Sequence, residues 1–148
     1  MRKLKLLLLL NNKMKWLLLE SYFYLGLARI LKGRPFSKIA PTLGEKMTET
    51  SNEIQSVDKK TLSEISQTIY LMSKYTFWES ECLVKAIAAM KMLERRKIES
   101  TLYLGTAKDE NGHLVAHAWL RSGPYYVTGS EGMERFTVVS KFAKNMRR

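Results

Sequence analysis

Residues 82–120 read CLVKAIAAMKMLERRKIESTLYLGTAKDENGHLVAHAWL, and the fold class turns on a change of period inside this stretch. Up to Arg96 the spacing is helical. Cys82, Ala86, Ala89, Met90 and Leu93 share one face, while Lys85, Lys91, Glu94 and Arg95 fall largely elsewhere. Ser80 or Glu81 stands where a helix start wants a cap or an acid. Arg95, Arg96 and Lys97 suit the negative end of the helix dipole. Beyond Lys97 the pattern becomes extended. Thr101–Thr106 reads as a strand, Asp109-Glu-Asn-Gly112 as a hairpin turn built on Asn111-Gly112, and His113–Leu120 as a second strand. Ser122-Gly-Pro124 turns the chain again. Tyr125–Thr128 gives a third strand, Gly129–Gly132 a loop, and Arg135–Ser140 a short fourth strand. A helix feeding an antiparallel meander predicts an α+β fold, with the sheet packed against helical cover.

Upstream, the chain is helical in character. Residues 16–32, WLLLESYFYLGLARILK, predict a strongly apolar helix, ended by Gly33, Arg34 and Pro35. Residues 36–44 hold room for a short helical turn closing near Gly44. The polar stretch 45–60 reads as the main surface connection. Leu62, Ile65, Ile69 and Met72 then return at spacings of three and four, so residues 61–75 predict a helix, with Thr61 and Glu64 as its capping box. The division expected is a helical N-terminal subdomain over 1–60 and a core over 61–148, forming one compact unit.

The opening MRKLKLLLLLNNKMKWLLL has a basic start, but its unbroken apolar run is only Leu6–Leu10 before Asn11, Asn12, Lys13 and Lys15 intervene. A secretory signal needs roughly 7–15 apolar residues and a small-residue cleavage site. A membrane span needs about 20 apolar residues. The segment reads instead as a leucine-rich helix with a basic edge, suited to packing on the core, to docking a partner, or to peripheral contact with a membrane surface. With no export signal and a single thiol, the expected location is cytoplasmic.

Composition narrows the function classes. The 148 residues include 1 Cys and 2 His, which rules out an intramolecular disulfide framework and a multi-cysteine zinc site. Twenty-five basic residues against 14 acidic ones give a net charge of +11, a balance that favours acidic partners without naming one. No phosphate-binding glycine loop and no nucleic-acid module is recognisable, so neither a cofactor nor a nucleic-acid partner is expected.

The lone cysteine opens the clearest helix, and His117 lies mid-strand downstream. That order suggests a nucleophile and its base. The first turn of a helix presents unpaired N–H groups and about half a unit of positive charge, an environment that suits an attacking sulfur and can cradle the oxyanion of a tetrahedral intermediate. Plain packing is the competing reading, because a free cysteine often behaves as a small buried hydrophobe. A strand histidine flanked on its own face by Val115 and Trp119 can likewise be structural. His113, beside the turn, is expected to be exposed.

Cys82-Leu83 at the head of a helix ending in Leu93-Glu-Arg-Arg96, followed by Leu102-Tyr-Leu-Gly105 and Ala116-His-Ala-Trp119, resembles the transglutaminase-like cysteine proteases of lasso-peptide biosynthesis. The similarity is to the stand-alone leader peptidase, the C-terminal half of the split processing protein B. Leu25-Gly-Leu-Ala-Arg29, Arg34-Pro-Phe36 and Glu134–Phe142 extend it over roughly residues 16–142. The resemblance implies a papain-like, transglutaminase-type core with Cys82 as nucleophile and His117 as general acid/base. It also implies three partners: the precursor's leader peptide, a small leader-recognition protein, and a cyclase acting on the product. The family's third catalytic member is commonly an Asp on the strand after the His. This chain has no Asp beyond Asp109 and reads Val127-Thr-Gly-Ser-Glu131 there, so Glu131 is the nearest acid. Thr128, Ser130 or a backbone carbonyl are the other orienting groups open to the imidazole. Without a working triad, the alternative is a catalytically inactive peptide-binding scaffold of the same fold.

Overall fold

The computed structural model describes residues 11–51 and 59–145. The Leu6–Leu10 run, residues 52–58 of the polar connection, and residues 146–148 lie outside the described residues.

Helix α1 spans Asn12–Lys32, starting four residues ahead of the expected Trp16 because the Asn11 side chain accepts the Met14 N–H at 2.8 Å and caps it. It ends where the Gly33 N–H turns back onto the Arg29 and Ile30 carbonyls. Past Pro35 come α2 (Phe36–Ile39), a 3₁₀ turn over Ala40–Leu43 and a two-residue strand β1 (Glu45–Lys46). Helix α3 runs over Lys59–Ser73 with Leu62, Ile65 and Ile69 buried. It begins before Thr61, so Thr61 lies inside it, and Thr61 with Glu64 does not mark its start as expected. Helix α4 is Cys82–Arg95.

Strands β2 (Ser100–Lys108), β3 (Leu114–Ser122), β4 (Tyr125–Thr128) and β5 (Thr137–Lys144) join β1 in an antiparallel sheet of order β1-β5-β2-β3-β4. Strand β5 runs four residues past the expected Ser140, because Phe142 and Ala143 bury against the core and pair with both β2 and β1. The turn at Asp109 is longer than a two-residue Asn-Gly hairpin. The Asp109 carboxylate accepts the N–H groups of Asn111 and His113, each at 2.9 Å, and closes a five-residue loop with His113 exposed.

Helix α4 is the keel. Val84, Ala86, Ile87, Ala88, Ala89, Met90, Met92 and Leu93 are all buried, so its apolar surface is wider than the single face expected. It is sandwiched, with α1 and α3 on one side and strands β2–β4 on the other, and a helix covered on both sides must be apolar nearly all round. The molecule is therefore α+β, as the change of period implies. No helix among the described residues is long and apolar enough to cross a membrane.

Candidate active site

Cys82 is the first residue of α4, half-buried where the helix emerges from the loop after α3. Glu81 is at the N-cap with no side-chain capping bond, so the first turn's N–H groups are left uncapped by it. They carry the positive end of the helix dipole to the sulfur. Glu81 itself is held from behind, its N–H donating to the Glu79 carboxylate, which in turn pairs with Lys32 of α1.

His117 stands on β3 opposite Gly105 of β2. Its ring packs between Trp119, 5.6 Å away between centroids, and Phe136, 5.0 Å away. A Cβ on Gly105 would come within 2.9 Å of both the Trp119 and Phe136 side chains. The absence of a side chain there lets those rings close on the imidazole.

The hydrogen bond of the imidazole decides its chemistry. Nε2 lies 2.7 Å from the Gly129 carbonyl oxygen. A carbonyl only accepts, so Nε2 carries the proton, and in the neutral ring Nδ1 carries the free lone pair. The orienting contact that triads usually take from a carboxylate is here made by a peptide group.

Cys82 and His117 line one cavity of about 240 Å³, together with Tyr70, Glu81, Lys85, Thr128, Gly129 and Glu131. Chain order separates them widely, and the packing of α4 on the sheet brings them together. Glu131 reaches this cavity on an exposed loop, beside the Tyr70 hydroxyl rather than in the Gly129 position on the imidazole. Thr128 is buried, and its hydroxyl has no hydrogen-bond partner among the described residues. Ser130 is exposed.

Two lining residues carry no local sequence signal. Tyr70 sits on α3 and its hydroxyl accepts the Gly129 N–H at 2.8 Å. Burial pushes its phenol above the usual range; the Gly129 N–H works against that, and the Glu131 and Cys82 charges add to it. Lys85, one turn along α4 from the cysteine, places its ammonium 4.9 Å over the Tyr70 ring. Neither residue departs from ordinary helical patterning, so only the tertiary structure exposes them. Among the described residues, no cluster of three or more His, Cys, Asp or Glu could hold a metal ion.

The constellation has the parts of acyl-transfer chemistry: a sulfur at a helix N-terminus, an imidazole with a defined proton, and the uncapped first turn of α4 beside them. A family model described as the transglutaminase-like superfamily matches residues 22–141, which include every cavity-lining residue. No curated protein and no solved structure matches the chain.

Proposed function

The chain belongs to the transglutaminase-like superfamily, and its fold is of the cysteine-peptidase type; from that premise we propose that it removes the leader from a ribosomally made lasso-peptide precursor. The observation that carries the reading is the pairing in one cavity of Cys82 with an imidazole whose Nε2 proton is committed to Gly129. In this reading Nδ1 of His117 takes the thiol proton and Sγ of Cys82 attacks the scissile carbonyl carbon. The first-turn N–H groups of α4 receive the oxyanion. The imidazolium then protonates the leaving amine, the C–N bond breaks, and water hydrolyses the thioester. Glu131, the third member in this reading, stands at the cavity rim near Tyr70 and leaves the direct contact with the imidazole to the Gly129 carbonyl.

The same proposal includes the partners. A separate leader-recognition protein presents the precursor, and a cyclase takes the freed peptide. Part of the docking surface is the outer face of α1, where Trp16, Leu19 and Phe23 are 69%, 61% and 64% exposed. The cytoplasm, where a lone thiol stays reduced, is the compartment that suits it.

Mass spectrometry of the precursor, incubated with the recognition protein and either wild type or Cys82→Ala, is the test. Leader release by wild type and none by a folded Cys82→Ala is expected, with co-elution of the two proteins in the mixture. Cleavage retained by Cys82→Ala rejects the nucleophile. The lack of any Asp after Asp109 favours a second reading, an inactive scaffold. Precursor bound by wild type but never cut decides for it.

A further inference from the structure

The geometry points to Tyr70 as a positioning residue that fixes the peptide group on which His117 is hung. The inference rests on the peptidase reading above and concerns what aims its base.

Gly129 is an unusual choice for the acceptor on a catalytic imidazole. Its φ is +75°, and glycine is the residue whose carbonyl direction is least constrained by its own sterics. A carboxylate in this place would be held by its own side chain and neighbours. A glycine carbonyl must be held by whatever grips the glycine. The group that does so is the Tyr70 hydroxyl, which accepts the Gly129 N–H at 2.8 Å, while the carbonyl of the same residue accepts from His117 at 2.7 Å. The two hydrogen bonds flank one pair of backbone torsions. Holding the N–H side removes one of the freedoms by which the carbonyl could swing away from the imidazole.

The tyrosine is itself held. Lys85 lies over its ring, and the Glu131 carboxylate lies beside its hydroxyl. Four residues earlier on α3, Ser66 donates to the Val127 carbonyl at 2.7 Å. That bond joins the same helix to β4 just ahead of Gly129 without touching it, which makes it the control.

The experiment compares wild type, His117→Ala, Tyr70→Phe and Ser66→Ala. It reads the rate of Cys82 alkylation by iodoacetamide at neutral pH and the 15N shifts of the His117 ring, separable because the chain has only 2 His. Tyr70→Phe keeps the ring and its packing and removes only the hydroxyl. Its alkylation rate is expected to fall by on the order of 10-fold, since small misplacements of a catalytic group are costly. Its His117 is expected to lose the single Nε2–H tautomer. Ser66→Ala is expected to match wild type in both readouts. A wild-type rate in Tyr70→Phe, or an equal fall in Ser66→Ala, overturns the inference. Equal rates in wild type and His117→Ala overturn the peptidase reading itself, and the inference with it. If Tyr70→Phe does not fold, amide exchange in wild type decides. A slowly exchanging Gly129 N–H supports the clamp, and a freely exchanging one overturns it.

Discussion

Gly129 shows how much a single residue can be asked to do. Its positive φ is strained for any L side chain. A Cβ there would also sit 2.4 Å from the Ala118 carbonyl oxygen and 2.8 Å from Trp119 Cβ. These are backbone and near-backbone atoms of β3, the strand that bears His117, so relief must come from moving the strand or the loop. Gly129→Ala is therefore expected to cost roughly 1–3 kcal/mol of stability in urea unfolding. It is also expected to slow Cys82 alkylation on the order of 100-fold in the fraction that stays folded. Unchanged alkylation would mean that the carbonyl does not aim the imidazole. Cys82 and His117, which share the cavity, stood out as candidates in the sequence because each bears distinctive chemistry at a marked place, a helix start and an alternating strand. Gly129 reads only as a loop residue, and Tyr70 only as one more position on α3. Their roles arise from a contact between segments 59 residues apart, which no local period encodes.

At the scale of elements, the site depends on α4 being held at both ends. Its first residue is Cys82, the nucleophile proposed above, and its far end is tied to α1 by Glu20. The Glu20 carboxylate lies 2.8 and 2.6 Å from the two terminal nitrogens of Arg96 and 3.1 Å from Arg95. Burial opposes the charge on Glu20, but the Arg96 and Arg95 guanidinium groups outweigh it and hold the carboxyl below its usual range. A depressed folded value means that the native state binds the proton less readily than the unfolded chain. The stabilisation is then complete above the ordinary carboxylate range and is lost as pH falls through the folded value. Glu20→Gln is expected to lose about 1–3 kcal/mol at pH 7 by urea unfolding, with the gap to wild type closing toward pH 3. A gap of constant size would show that packing rather than charge makes the difference. The helices were legible here because apolar spacing marks them. Their limits were not, because caps and tertiary burial set them: Asn11 lengthens α1, and the buried Phe142 and Ala143 lengthen β5.

Across the whole molecule, the segment 45–51 is mostly exposed, as a surface connection should be, but it is also tied to the sheet. Its polar composition reads as surface connection, yet β1 pairs with the edge of β5, and Thr50 is buried against Thr101 of β2. What anchors this surface segment at Thr50 and Ser51 is a buried cation. Arg121 on β3 is 3% exposed and spends its guanidinium on the carbonyls of Thr50, Ser51 and Gly123 and on the Tyr103 hydroxyl. Burial, reinforced by the hydrogen bond to Glu49, pushes the Tyr103 phenol up to about 12, so it remains a neutral donor to that carboxylate. Residues 49–51 are in this way stitched to the sheet by polar bonds, which a hydrophobic pattern cannot reveal. Arg121→Met fills the space but leaves those carbonyls without their donor, and an unsatisfied buried group costs more than the bond that satisfied it gained. A loss of about 3–5 kcal/mol is expected in urea unfolding. Proteolytic cutting between residues 45 and 51 should appear before any cutting near Cys82. The order follows from the packing, since releasing the segment frees one edge of the sheet while α4 keeps its cover on both sides. Cutting near Cys82 first, or a loss under 1 kcal/mol, would show that β1 pairing alone holds the segment in place.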